Sequence, residues 1–206
     1  MSDDLETARD DLAFLRALAE TPSQPNKTMG LALFSAGLIY SVQALVQWAA
    51  WAGYVALPGP FYLAFVISCS LVFFIVLGVI IWRNRKKGSK SVSARAYESA
   101  FEAAGIANLA IVSFFIVVTI RQRDPGIWYY YTPTIFAVQA GAWFAGFRLR
   151  KRLWLGLVSA GWITAAIGLG LTAHTPTYVL IIAVALFALL AVPGWIIMRL
   201  ADKQDA

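Results

Sequence analysis

Charged residues, cysteine and histidine are all scarce in this chain of 206 residues. Only 14% of the residues are charged, whereas soluble domains carry about 25%. Cys69 is the single cysteine, so a disulfide within the chain is excluded. His174 is the single histidine, which excludes bis-histidine haem ligation and a histidine-rich zinc or di-iron cluster within one chain.

Motifs that carry chemistry are missing as well. The chain has no glycine-rich phosphate loop, no Cys-x-x-Cys pair and no calcium-binding loop. A serine triad would need His174 together with an orienting carboxylate, and Asp124 is the one candidate for it. We therefore predict no catalytic residue, no metal and no cofactor, and a protein that is not an enzyme.

Apolar residues make up 60% of the chain and gather in six long stretches. A stretch of roughly 20 apolar residues matches the hydrocarbon core of a bilayer. In lipid the backbone polar groups must be satisfied within the segment, so each stretch is predicted to be a helix. The predicted fold class is an all-α membrane protein, a six-helix transmembrane bundle over residues 28–199. The predicted spans are residues 29–51, 61–82, 97–120, 128–147, 153–172 and 177–198.

The basic residues indicate how these spans are oriented. All but two of the 17 lysine and arginine residues fall on one side of the membrane, the exceptions being Arg121 and Arg123. Such a bias marks the cytoplasmic side. We therefore predict a protein of the inner (plasma) membrane with both termini in the cytoplasm and residues 200–206 as a cytoplasmic tail. The basic clusters are interpreted as anchors at the lipid surface, so the bilayer is the predicted partner and nucleic acid is not.

Aromatic residues collect at the ends of the spans. On the outer side these residues are Trp48, Trp51, Tyr54, Tyr62, Trp128, Tyr129, Tyr130 and Tyr131. Tryptophan and tyrosine are enriched at the level of the lipid headgroups because their rings are amphipathic. We interpret these residues as an interfacial belt.

Residues 1–27 are predicted to form a short cytoplasmic amphipathic helix followed by a linker. Leu5, Leu12 and Leu15 recur at helical spacing and give one apolar face, and Asp10 and Asp11 lie among them. A helix that binds the membrane surface is normally basic, whereas the first twenty residues here are predominantly acidic. These five residues are the candidate docking face. We expect it to pack on the protein's own basic loops or, as the second alternative, on another protomer or a separate cytosolic or membrane protein.

Polar side chains within the spans are the candidates for a polar cavity or for a ligand or proton site. Glu102 follows Glu98 by four residues on one helix face, and pairing with nearby basic residues is the first interpretation. A proton-linked or cation-binding role for Glu102 is the alternative. Buried amides such as Asn108 usually form hydrogen bonds between helices, and lining a cavity is again the alternative. The full candidate set is Tyr40, Gln43, Glu98, Glu102, Asn108, Gln139 and Thr164.

A short pattern recurs in the first, third and fifth spans. A glycine follows two small residues, at Gly37, Gly105 and Gly161, and a side chain with a polar group follows each glycine by three residues. Three helical hairpins related by an axis along the membrane normal would produce this pattern. Small residues also recur by chance at transmembrane helix contacts, and this explanation is equally compatible with the pattern.

Four runs of sequence suggest a relationship. Residues 11–20 (DLAFLRALAE), 37–40 (GLIY), 81–85 (IWRNR) and 104–109 (AGIANL) resemble small multi-pass inner-membrane proteins of proteobacteria whose function is uncharacterised. The resemblance implies a bacterial inner membrane and brings no activity or ligand with it. The predicted function is that of a regulatory, assembly or scaffold subunit, and a small transporter or channel for a solute or proton is the alternative.

Overall fold

The computed structural model describes residues 27–84 and 92–203, with side chains for residues 27–83 and 99–203. This part of the chain is helical and contains no strand, which confirms the all-α fold class. A 3₁₀ turn, Pro125–Ile127, precedes the fourth helix. The predicted amphipathic helix with Leu5, Asp10, Asp11, Leu12 and Leu15 lies outside the described residues. The helices are α1 (Lys27–Trp51), α2 (Gly59–Asn84), α3 (Val92–Gln122), α4 (Trp128–Arg150), α5 (Leu153–Leu171) and α6 (Pro176–Asp202).

Five of the six helices, α1, α2, α3, α5 and α6, contain segments long and apolar enough to cross a membrane. The chain is therefore a multi-pass membrane protein. Helix α4 is also long, at 23 residues, but it is not among the five. The reason is its composition, because the first two turns, Trp128–Thr134, consist of aromatic residues, threonine and proline.

Successive helices run in opposite directions, so the turns gather at two ends. Lys27 begins α1 and forms an ion pair with Asp202 at the end of α6, with 2.5 Å between Nζ and Oδ1. At the opposite end, Trp51 of α1 contacts Tyr129 of α4. We call the first the basic end and the second the aromatic end. The basic end carries Lys27, Arg83, Arg148, Arg150, Lys151, Arg152, Arg199 and Lys203.

The helices pack in the order α2–α1–α6–α5–α4–α3. The main cluster of buried apolar side chains comes from α1, α4, α5 and α6, which we call the core block. Trp143 of α4 and Trp162 of α5 are its largest fully buried side chains. Trp162 meets the ring of Phe136 edge-on, with 4.6 Å between ring centroids. We call α2 and α3 the flanking helices, since α2 packs on α1 and α3 packs on α4.

Small residues bring α1 and α6 into close contact. The buried residues of α1 are Gly30, Gly37, Ser41 and Ala44, which lie on one face. A Cβ on Gly30 would lie 2.9 Å from the carbonyl oxygen of Gly194, and a Cβ on Gly37 would overlap the backbone of Ala191. Between transmembrane helices, small residues permit this approach, and van der Waals contact between the backbones replaces hydrophobic attraction.

Serine hydroxyls join helices of the core block. The Ser41 hydroxyl on α1 donates to the carbonyl oxygen of Ala183 on α6 at 2.9 Å. The Ser159 hydroxyl on α5 donates to the carbonyl oxygen of Ala140 on α4 at 2.8 Å. Both serines are buried, so their hydroxyl groups need a hydrogen-bond partner within the protein, and these carbonyl oxygens supply it.

Helix α6 contains one π-helical turn, Phe187–Ala191. Pro193 follows this turn. A proline has no backbone N–H to donate, and in a regular α-helix its ring would clash with the carbonyl group four residues earlier. The backbone widens before it, and the N–H of Val192 donates to the carbonyl oxygen of Phe187, five residues earlier. The wide turn therefore lets the helix continue through Pro193 to Asp202.

The three glycines of the recurring pattern have different surroundings. Gly37 and Gly161 both face the π-helical turn of α6, at Ala191 and Leu189 respectively. A Cβ placed on Gly105, in contrast, would have no atom of the described residues within 4 Å. In a threefold arrangement α2 would also pack against α3 as α4 packs against α5, but these flanking helices are not among the pairs in substantial contact. The structure does not confirm the predicted repeat.

Candidate functional site

A cavity of about 340 Å³ opens at the aromatic end, between α1, α2, α4 and α6. Its wall has a polar part from Gln47 and an aromatic part from Trp51, Tyr62 and Tyr129. None of the side chains that line it in the described part of the chain is charged. Its lining residues are Gln47, Ala50, Trp51, Tyr62, Tyr129 and Val179.

The wall contributed by α1 is shaped by the way this helix ends. Gly53 has a φ of 82°, a left-handed conformation that glycine adopts without a steric penalty. Its N–H donates to the carbonyl oxygen of Ala50, and the N–H of Tyr54 donates to that of Ala49. This is the Schellman arrangement of a helix C-terminus. It turns Tyr54 back onto Trp48, with 5.5 Å between ring centroids, so that the last turn of α1 is held by aromatic contacts.

The ring of Tyr129 on α4 contacts aromatic rings of α1, of α6 and of the turn between α5 and α6. Its ring centroid lies 6.3 Å from that of Trp51, 5.4 Å from that of Tyr178 and 4.1 Å from that of His174. The hydroxyl of Tyr178 donates to the carbonyl oxygen of Tyr129 at 2.8 Å. His174 has a φ of 65°, in the left-handed region where histidine is enriched among non-glycine residues. The tight turn between α5 and α6 thereby brings its imidazole onto Tyr129.

The start of α4 is fixed by Asp124. Its carboxylate oxygen Oδ1 accepts a hydrogen bond from the N–H of Gly126 at 2.8 Å and caps the 3₁₀ turn. Trp128 follows directly and meets the ring of Tyr131 edge to face, with 5.2 Å between ring centroids. The capped turn therefore determines where Tyr129 enters the cavity wall.

Helix α1 carries a second amide near the cavity residue Gln47, that of Gln43, which is not among the lining residues. Gln43 precedes Gln47 by one helical turn on the same side of α1. Its Oε1 is buried and has no hydrogen-bond partner among the described residues. A buried acceptor without a partner is costly, and such positions are commonly satisfied by a water or a ligand.

The predicted acidic residues occupy the flanking helix α3. Glu102 is exposed, on the surface of the bundle rather than in its interior. The backbone of Glu98 belongs to α3, and its side chain is outside the described set. The structure therefore does not bring Glu102 into the cavity or into the core block.

The predicted polar residues have separate environments. Asn108 on α3 accepts a hydrogen bond from the hydroxyl of Tyr131 on α4 at 3.0 Å, as the structural interpretation expects for a membrane amide. Tyr40 on α1 packs against Phe73 of α2, with 5.2 Å between ring centroids. Thr164 is exposed and donates to the carbonyl oxygen of Ala160 in its own helix. Gln139 is half-buried on α4.

Sequence reasoning assigned three of the cavity residues to another role. Trp51, Tyr62 and Tyr129 were expected at the lipid interface, and they do lie at the ends of their helices. What the sequence did not reveal is that α1, α2 and α4 meet there, so that these rings and Gln47 border one space. The available signal was the density of aromatic residues at one end together with Gln47 one turn inside it. Among residues 27–84 and 92–203, no three histidine, cysteine, aspartate or glutamate side chains come together as metal ligands would.

The fold and the cavity define the class of the protein, a multi-pass integral membrane protein made of α-helices. No protein-family model, curated protein or solved structure matches the chain.

Proposed function

We propose that the chain is a non-enzymatic regulatory, assembly or scaffold subunit of a bacterial inner membrane, with six crossings and both termini in the cytoplasm. The observation that supports this function best is the filled interior of the core block. Trp143 and Trp162 are 0% and 1% exposed, and Leu155, Leu169 and Ile197 are fully buried beside them. A close-packed interior of this kind suits a rigid platform.

The sixth crossing is α4. Its 23 residues span about 35 Å at 1.5 Å per residue, more than the hydrocarbon thickness of about 30 Å. Its polar first turns carry interfacial aromatic residues, and its last turn carries Arg148 and Arg150. This distribution is that of a span whose ends lie in the two headgroup layers. Helix α4 packs between α3 and α5 and runs antiparallel to both, which suits a segment that crosses the bilayer beside them.

The polar residues of the spans support a structural role rather than a conduction path. Asn108 accepts a hydrogen bond from Tyr131, and the hydroxyls of Ser41 and Ser159 donate to carbonyl oxygens of neighbouring helices. Glu102 is exposed on the surface of the bundle. A proton or solute path needs such groups in a continuous, accessible series.

The charges of the two cytoplasmic parts are complementary in this proposal. The basic end concentrates lysine and arginine, and the segment before α1 is rich in aspartate and glutamate. Attraction between them favours docking of the acidic segment over the basic end or over the same surface of a second subunit. A regulatory subunit would use this segment to exchange between its own basic end and a partner.

Deletion of residues 1–22 tests the proposal. We expect the shortened protein to insert into the membrane at wild-type level, because the apolar spans are untouched. In cells, crosslinking from the basic end to a specific partner or second copy, identified by mass spectrometry, is expected to disappear. Replacement of Asp10 and Asp11 by asparagine is the matched variant, and we expect it to weaken the same crosslinks. Identical crosslinked products from all three proteins would overturn the docking role.

A small transporter or channel is the second candidate. The open cavity and the unpartnered oxygen of Gln43 favour it. Proteoliposomes distinguish the two functions by proton and solute flux measured with a panel of ions and small metabolites. The subunit proposal expects flux no higher than in protein-free liposomes. Flux that is lost in Glu102→Gln or Asn108→Leu would establish the transporter instead.

A further inference from the structure

The wall of the cavity at the aromatic end consists of aromatic, amide and small apolar side chains. Three of its six lining residues, Trp51, Tyr62 and Tyr129, are large aromatic residues from three different helices. Gln47 adds an amide, and Ala50 and Val179 complete the lining. The polar component therefore consists of neutral side chains.

Such a wall discriminates between charges. The face of an aromatic ring carries partial negative charge and attracts a cation placed within about 6 Å of its centroid. An anion would need a cationic side chain or a group of N–H donors, and among the described residues no lysine, arginine or histidine belongs to the lining. The amide oxygen of Gln47 in the lining is an acceptor as well.

The size and access of the cavity suit a small ligand. A volume of about 340 Å³ is near the lower limit of ligand pockets, which are about 300–1,000 Å³. Trp51 is 42% exposed and Tyr62 is 38% exposed, so both rings can be reached from outside the bundle. Compact metal cations keep their water tightly, whereas alkylated ammonium groups are easily desolvated and fit aromatic walls.

We propose that this cavity binds an organic ammonium group of the trimethylammonium type, held by cation–π contacts with Trp51, Tyr62 and Tyr129. The group belongs either to a free cation such as choline or to the headgroup of a lipid. The site goes beyond the proposed subunit function and does not depend on it, since binding does not require transport or a protein partner.

Calorimetric titration of the full-length protein in maltoside tests the proposal. Tetramethylammonium and choline are expected to bind saturably. The neutral isostere 3,3-dimethylbutan-1-ol is expected to bind about tenfold more weakly than choline, because it keeps the shape and loses the charge. Absence of saturable binding of both cations, or equal binding of the neutral isostere, would overturn the site.

Variants of Tyr62 locate the site. Tyr62 lies on the flanking helix α2 and is partly exposed, so its substitution leaves the core block intact. Tyr62→Leu is expected to weaken choline binding about tenfold, whereas Tyr62→Phe keeps the ring face and is expected to bind within about twofold of wild type. Trp82→Leu, at the other end of the same helix, is the control and is expected to bind normally. Equal binding by Tyr62→Leu and wild type, or equal weakening by Trp82→Leu, would refute the assignment.

Nanodiscs separate the two sources of the ammonium group. If a lipid headgroup occupies the cavity, discs of phosphatidylcholine will suppress choline binding relative to discs of phosphatidylglycerol. If the natural ligand is a free cation, choline will bind equally in both. Suppression that persists in Tyr62→Leu would contradict occupancy of this cavity by the headgroup.

Discussion

Helices α2 and α6 are both strongly apolar, yet they pack in opposite ways. Within the most apolar 18-residue window of α6, 33% of the residues are buried in the protein, whereas in α2 none are. Helix α2 is the more apolar of the two. Apolarity therefore accounts for entry into the bilayer and does not account for packing within it, because lipid tails are as apolar as leucine.

The difference lies in small residues and in shape. Ala183, Ala191 and Gly194 of α6 lie against α1. Gly30 and Gly37 of α1 lie opposite, so the two backbones are in close contact. Helix α2 presents mainly phenylalanine, leucine, isoleucine and valine, and most of these side chains are exposed, although Ile80 is buried. The core block and the flanking helices thus differ in how closely a backbone can approach its neighbour.

Removal of a large aromatic side chain gives the largest expected contrast between the two regions. Trp162→Ala opens a cavity in the core block, and we expect it to lower the free energy of unfolding by about 3–5 kcal/mol. The indole nitrogen of Trp162 has no hydrogen-bond partner among the described residues, so the cost is expected in the lower part of that range. Circular dichroism in mixed micelles with increasing dodecyl sulfate measures the change.

Trp82→Ala is the matched control for this prediction. Trp82 lies on α2 and is 73% exposed, and we expect a change below about 0.5 kcal/mol in the same titration. Similar losses for the two variants would mean that the core block is not the more stable region.

Addition of a single methyl group gives an intermediate contrast. Gly37→Ala places a Cβ into the backbone of Ala191, and separation of α1 from α6 is expected to cost about 1–3 kcal/mol. Gly105→Ala, on α3, adds the same methyl group where no atom of the described residues lies within 4 Å. That control is expected to be neutral or to stabilise by up to about 1 kcal/mol, since alanine loses less backbone entropy in a helix. Equal destabilisation by both substitutions would contradict the close α1–α6 contact.

Loss of one hydroxyl gives the smallest contrast. Ser159→Ala removes the hydrogen bond from α5 to the Ala140 carbonyl of α4, and we expect a loss of about 0.6 kcal/mol. The hydroxyl of Ser113 on α3 donates to Leu109 within its own helix, so Ser113→Ala is expected to have no measurable effect. Replicate unfolding titrations of both variants are needed at this magnitude, and a larger effect at Ser113 would reverse the comparison.

Part of the candidate site could be predicted from the sequence, and part could not. The position of Trp51, Tyr62 and Tyr129 near the ends of helices follows from the amphipathic character of their rings. Their convergence on one cavity depends on the packing of α1 against α2 and on the turn that brings His174 onto Tyr129, which are contacts between residues far apart in the chain. For Glu102 the sequence favoured pairing with basic residues and left a proton or cation site as the alternative, and the structure has its side chain exposed on α3.

The sequence by itself determined that the chain consists of apolar helices of bilayer length, because hydrocarbon permits few other backbone structures and this constraint acts within each segment. Tertiary structure alone decided which helices form the core block, why Gly37 and Gly161 meet the π-helical turn while Gly105 does not, and where a cavity remains. Those outcomes depend on the fit between surfaces distant in sequence, and similar apolar residues serve equally well to face lipid or protein.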